Sequence, residues 1–160
     1  MPKLSPDFSA FEVTRSISNP DLALPWEDLP AQHAANLQRL VDCFLQPVRD
    51  RVGRLRILSG YRPDALNAVL PGASPRSRHR FGLSVDFIPD RVDQVALFKL
   101  LAQGQIAGAS WDRLTLYTSR DIPNFHVDLR PWEQGPQRGR LYTAQPWQQV
   151  TVEDVLALAA

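Results

Sequence analysis

Two short segments alternate strictly between apolar and polar residues, and they dictate the kind of fold available to this chain. In Gly82 to Ile88 the apolar Leu83, Val85 and Phe87 are interleaved with Ser84 and Asp86. In Asn124 to Leu129, Phe125, Val127 and Leu129 are interleaved with Asn124, His126 and Asp128. A period of two puts the two sets on opposite sides of a β-strand. The apolar sides need a core, so these strands belong to a sheet with one packed face and one face of polar and ionisable groups.

Helices supply the packing partners. Leu37, Leu40, Val41, Phe44, Leu45 and Val48 recur on one helical face, in a segment that starts near Asp28 and Pro30. Pro47 is expected to kink its last turn and Gly53 to end it. Leu55 to Ser59 reads as a strand, followed by a turn at Gly60 and Pro63 and a short helix over Asp64 to Leu70. PGASPRSRHRFG is too rich in Pro, Gly and Ser for a regular element and reads as a loop. Asp90 is the expected cap of a helix carrying Val92, Val95, Ala96, Leu97, Leu100 and Leu101 and ending at Gly104. Arg113 to Tyr117 reads as a strand joined to the 124–129 strand by the turn-forming SRDIP.

Residues 1–28 read as an irregular segment pinned by Phe8, Phe11 and Trp26. Residues 131–160 read as a C-terminal extension, a loop reaching a short helix that Thr151 and Asp154 box in. The expectation is one α+β domain over residues 1–160, a small antiparallel sheet packed with helices. A chain of 160 residues can bury such a core without staples.

Charge narrows the partners. Arg76, Arg78 and Arg80 cluster, but the net charge is only +1 and no stacking motif accompanies them, which argues against nucleic acid. No apolar run approaches the roughly 20 residues of a membrane span, and MPKLSPDFSAFEVTRS lacks the apolar stretch of a secretory signal. Synthesis in the cytoplasm, no membrane partner and a monomer are expected. The one cysteine, Cys43, lies in a periodic helical segment and reads as a buried, reduced thiol.

The chain has three histidines, and two sit in segments with a polar face: His79 in SRHRFGLSVDF and His126 in NFHVDLR. With Asp86 they make the set of three ligands that hydrolytic zinc sites use, leaving a fourth position open. Each residue alone also fits a plainer role. Asp86, between Val85 and Phe87, needs a partner, and either a metal ion or Arg62, Arg78 or Arg80 would serve. His126 alone reads equally as a hydrogen-bonded core histidine.

The runs SGYRPDALN, SRHRFGLSVDF and HVDLR, in that order, resemble the zinc D-alanyl-D-alanine carboxypeptidase family. That family includes phage L-alanyl-D-glutamate endopeptidases, and the Hedgehog signalling domain shares its fold. Ser77, His79, Gly82, Asp86 and His126 match its metal pattern, and the resemblance runs from roughly Phe8 to Arg130. It implies one zinc ion on His79, Asp86 and His126, and a peptidoglycan stem peptide as substrate. It further implies Arg62 beside the metal, where a guanidinium holds a carboxylate or steadies an oxyanion. Tyr61, Ser77 and Asn124 are the other candidate substrate-binding residues, Ser77 through orienting its loop or a ligand. A phage or prophage enzyme reaching the wall after release, or aboard a virion, is the matching habit.

The chain departs from the family at the general base. Relatives carry a glutamate three residues before the last histidine, where this chain has Pro123, or at the end of the preceding strand, where it has Tyr117. Asp121 and Asp128 are the two carboxylates near enough in sequence to replace it. The missing base also permits a non-catalytic zinc module that binds the wall or builds a virion.

Overall fold

The computed structural model describes residues 1–144 and 147–159. Its centre is a six-stranded sheet in the order β1-β2-β4-β3-β5-β6. The strands are β1 (Leu55–Ser59), β2 (Ser84–Pro89), β3 (Arg113–Tyr117), β4 (Asn124–Asp128), β5 (Arg140–Ala144) and β6 (Gln148–Val150). The fold is α+β, as expected, but the sheet is mixed: β3 and β5 run parallel, and the other neighbours run antiparallel. The stretch read as a loop after Pro131 supplies β5 and β6, apart from Gln145 and Pro146, which with Ala160 lie outside the described residues.

The parallel pairing explains how the extension joins the sheet. β4 ends and β5 begins at the Arg113 end of β3, since Arg113 lies opposite both Asp128 and Arg140. The connection therefore only rounds the end of β3. Asp112, wholly buried there, fastens it by accepting from Arg138 Nε at 2.6 Å, Arg138 Nη2 at 2.9 Å and Arg140 Nη2 at 3.4 Å.

The apolar face of the sheet is covered by helices. Val85, Phe87, Leu114, Leu116, Phe125 and Val127 are fully buried, and Phe87 stacks on Phe125 with ring centroids 5.1 Å apart. Phe44 meets Phe87 edge-on at 5.7 Å from the long helical segment, and Phe98 meets Phe125 at 5.9 Å from α5 (Gln94–Ala102). The cap of α5 is Asp93, which accepts from Ala96 N, and not Asp90. Asp90 instead pairs with Arg54 and Arg56 beside β1.

The long segment consists of α2 (Ala31–Leu40), a π turn (Val41–Leu45) and α3 (Gln46–Val52), with Gly53 as its C-cap. Pro47 does not end the helix, which runs on to Val52. Its missing N–H would orphan the Cys43 carbonyl four residues back, and Ser110 N donates to that carbonyl at 2.8 Å. The turn before Pro47 widens, Gln46 N reaching Val41 O, and the helix continues. The Cys43 thiol is half-buried and free, and burial pushes its pKa up.

The opening segment holds more order than its composition suggests. α1 (Ala10–Thr14) forms behind a capping box of Ser9 and Glu12, and two 3₁₀ turns follow. Val13 O accepts from Tyr61 N at 2.7 Å, which docks α1 on the turn after β1. The two remaining helices are α4 (Asp64–Val69) and α6 (Val152–Leu156), the latter with the expected Thr151–Asp154 box. Among the described residues no helix is long and apolar enough to cross a membrane.

Candidate metal centre

The polar face of the sheet is organised in rows that cross the strands. One row runs Ser59, Asp86, His126 and Thr115, one side chain each from β1, β2, β4 and β3. The next row toward the start of β3 holds Ser84, Asp128 and Arg113, and the next row the other way holds Asn124 and Tyr117. Alternation therefore places Asp86 and His126 directly opposite one another, as the two sequence segments required.

His79 arrives from a separate element. SRHRF closes into a 3₁₀ turn (Arg78–Phe81) that Gly82 ends in the left-handed conformation at φ 69°. A Cβ on Gly82 would lie 2.4 Å from the His33 carbonyl oxygen of α2, so both conformation and space demand glycine. The turn is tied to the end of β1 by Arg62 N donating to His79 O at 3.0 Å. Arg78 pins its other side, donating to Asp112 Oδ2 at 2.7 Å and to Leu129 O at 3.0 Å.

His79, Asp86 and His126 each offer a ligand atom, and these atoms all lie within 4.8 Å of one another. His79 is buried; its Nδ1 lies 2.7 Å from Gly60 O, which can only accept, so Nδ1 donates there and Nε2 is the nitrogen that faces Asp86. That Nε2 is 3.4 Å from Asp86 Oδ2. Two donors about 2.1 Å from one tetrahedral metal ion are separated by roughly 3.4 Å, so this pair is already spaced for zinc. Asp86 Oδ1 lies 2.7 Å from His126 Nδ1, and Asp128 Oδ1 lies 2.9 Å from His126 Nε2. The donor set fits zinc in number, kind and burial.

The electrostatics follow from these contacts. Burial works against charge on His126, but Asp128 and Asp86 flank it and raise its pKa to about 10. Burial likewise raises the Asp86 carboxyl, and His79 and His126 outweigh it, holding Asp86 well below the usual carboxylate range. A metal ion would take the place of the proton on His126 Nδ1, since ligating histidine must be neutral.

The other predicted residues divide. Arg62 reaches the centre: Nη2 donates to Asp86 Oδ2 at 3.0 Å and Nε to Ser59 Oγ at 3.0 Å. Ser77 lines the same cleft, heading the 3₁₀ turn without a side-chain cap bond. Tyr61 does not join the cleft: it is buried, with its hydroxyl 3.0 Å from His33 Nδ1. Asn124 is buried at the base of the Tyr117 row, where Oδ1 accepts from Arg120. Asp121 is exposed in the β3–β4 turn and lines no part of the cleft.

Asp128 lies beneath the centre with both oxygens engaged, accepting from His126 Nε2, from Ser84 Oγ, and from Arg113 Nη2 at 2.6 Å. Burial raises its carboxyl, but His126 and Arg113 outweigh that and bring it down to about 2. A carboxylate on the far nitrogen of a ligating histidine fixes tautomer and ring orientation. This geometry suits orienting His126, whereas a base for neutral pH needs a pKa nearer 7 and a free oxygen.

The cleft above these rows has a volume of about 690 Å³. Its lining includes Arg78, weighed in the sequence only as a partner for Asp86, and three residues that the motif reading passed over: Arg113, Arg120 and Trp147. Alternation in β3 marks Arg113 as a neighbour of His126's face. Nothing local marks Trp147, which reaches Tyr117 edge-on at 5.7 Å only because β5 and β6 extend the sheet.

A scan against protein-family models finds no match for this chain, and neither does a search of curated proteins. The resemblance thus rests on the ordered motif residues. The structure adds that His79, Asp86 and His126 converge as a group able to hold a metal ion.

Proposed function

We propose that this protein is a zinc-dependent peptidase that hydrolyses a stem-peptide bond of peptidoglycan. The observation that carries the reading is the meeting of His79, Asp86 and His126 on the floor of an open cleft, with the outer nitrogens of both histidines held by Gly60 O and Asp128. Zinc held by these residues would supply Lewis acidity to a carbonyl and lower the pKa of water toward about 7. In the reaction water adds to the scissile carbonyl carbon, the C–N bond breaks, and a carboxylic acid and an amine leave.

The chain's own groups have definite tasks. Gly60 O and Asp128 hold the two imidazoles in one tautomer and one orientation. Arg62, steadied by Ser59 and Asp86, presents its remaining guanidinium edge toward the cleft and can share the charge that develops on the carbonyl oxygen. Burial and then Asp86 raise the Tyr117 hydroxyl, so it keeps its proton at neutral pH and serves as a donor in the cleft wall.

One observation favours a second reading, a non-catalytic zinc module for wall binding or virion structure. Among the described residues lining the cleft the carboxylates are Asp86 and Asp128, and both are engaged by cationic partners. Mass spectrometry of muropeptides after treatment with zinc-loaded protein separates the readings. New peptide termini that vanish on chelation support the peptidase, and unaltered muropeptides from every wall type tried support the binding module.

A further inference from the structure

Of the large apolar side chains exposed to solvent among the described residues, Trp147 alone lines the metal cleft, and 53% of it is left uncovered. Its neighbours nevertheless hold it. Tyr117 meets the indole at 5.7 Å with the ring planes at 83°, and Tyr142 meets it at 6.1 Å with the planes at 65°. Neither tyrosine lies flat on the indole, so the two fix its attitude without burying it. Arg120 lies over Tyr117 in turn, 4.0 Å from the ring centroid, and donates to the buried Asn124 Oδ1. The Tyr142 hydroxyl reaches Gln149 Oε1 at 3.5 Å. This wall of the cleft is therefore an open apolar ring fringed by hydroxyl, amide and guanidinium groups.

That combination matches one ligand chemistry. A pyranose has a C–H face whose hydrogens carry partial positive charge, suited to the negative face of an indole, and a rim of hydroxyl and acetamido groups for the polar fringe. A stem peptide offers no ring of its own, whereas the glycan that carries it is a chain of such rings. An indole already fixed by its neighbours loses little freedom when a ligand covers it.

The distance from the metal row suits the sugar that bears the stem. Tyr117 lies one row from Thr115 and His126, roughly 6.8 Å along the strand, and Trp147 is one ring contact further. The alanyl and lactyl units between the first scissile position and the sugar span about 7 Å when extended. An amide of that bond over His126 thus brings the sugar to the aromatic wall. A cut at the D-alanyl end of the stem would set the sugar about 10 Å further out.

Building on the peptidase reading, we infer that Trp147 is a stacking platform for the N-acetylmuramic acid ring of the wall glycan, which sets the cut at the sugar-proximal end of the stem peptide.

The test compares N-acetylmuramyl-L-alanyl-D-glutamate with lactoyl-L-alanyl-D-glutamate, the same peptide without its sugar. Affinity for the zinc-loaded protein is read by calorimetry, or as KM where a peptide is turned over. About half of a tryptophan's roughly 250 Å² is open here. A sugar on one face covers about half of that, so the sugar-bearing peptide binds roughly 10-fold more tightly. In Trp147→Ala, a change in an exposed turn, that ratio falls to near one, and Trp147→Phe, with its smaller ring, retains part of it. Equal binding of the two peptides, no binding of the sugar-bearing one, or a ratio preserved in Trp147→Ala overturns the inference. A sugar-dependent ratio with muropeptides left intact on every wall type tried would sink the peptidase reading alone, whereas cleavage indifferent to the sugar would sink the role of Trp147 alone.

Discussion

Asp128 Oδ1 sits 2.9 Å from His126 Nε2, on the opposite side of the imidazole from Asp86. The ring is therefore clamped between two carboxylates, one placed to share a metal ion with it and one placed to orient it.

Asp128→Asn tests that division. The amide nearly preserves shape but loses the charge that steadies His126, and zinc affinity should fall about 10-fold to 100-fold, as read by competition with a chromogenic chelator. Unchanged zinc affinity with turnover slowed by about 100-fold or more would make Asp128 the general base instead. Asp121→Asn, in the exposed turn off the cleft, should leave both quantities unaltered, and a slowdown of that size there would place the base at Asp121.

Asp112 predicts an acid sensitivity. Burial alone would raise its carboxyl, but Arg138 and Arg78 outweigh it and leave it well below the usual range. A folded-state pKa below the unfolded value of about 3.9 stabilises the fold above that pH, and the contribution is lost as pH falls further. The urea midpoint of the wild type should drop more steeply below pH 4 than that of Asp112→Asn. At neutral pH the variant should lose about 2–3 kcal/mol, less than a wholly dry pair because its arginines are partly exposed. Parallel pH curves would remove Asp112 from the account.

His33, the histidine outside the motif, packs on Tyr61 and Phe81 and lies off the metal cleft. His33→Ala should keep its zinc content and lose about 1 kcal/mol of stability with the Tyr61 hydrogen bond. Loss of zinc on elemental analysis would mean that a ligand has been misplaced.

What the sequence disclosed, it disclosed through local pattern. Alternation placed Asp86 and His126 on one face because a strand's side chains obey a period of two whatever the strand pairs with. The SRHRFG run reads only as part of a loop, and the 3₁₀ turn over Arg78–Phe81 is not legible because one short turn leaves no periodicity in the sequence. Long-range pairing left no local mark either. β5 was hidden because its partner β3 is reached around a sheet end and not through a hairpin, and Trp147 was hidden with it. Nor does sequence say which arginine meets which aspartate: Arg62, Arg78 and Arg80 were equal candidates for Asp86, and the fold assigns Arg62 to it, Arg78 to Asp112 and Arg80 to Asp64.

The most direct test is the zinc stoichiometry of purified wild type beside a His79→Ala, His126→Ala double variant, with circular dichroism confirming that both fold. The account predicts one zinc per chain in the wild type and almost none in the double variant. Stoichiometric zinc in the double variant, or a wild type that takes up no zinc, would contradict it.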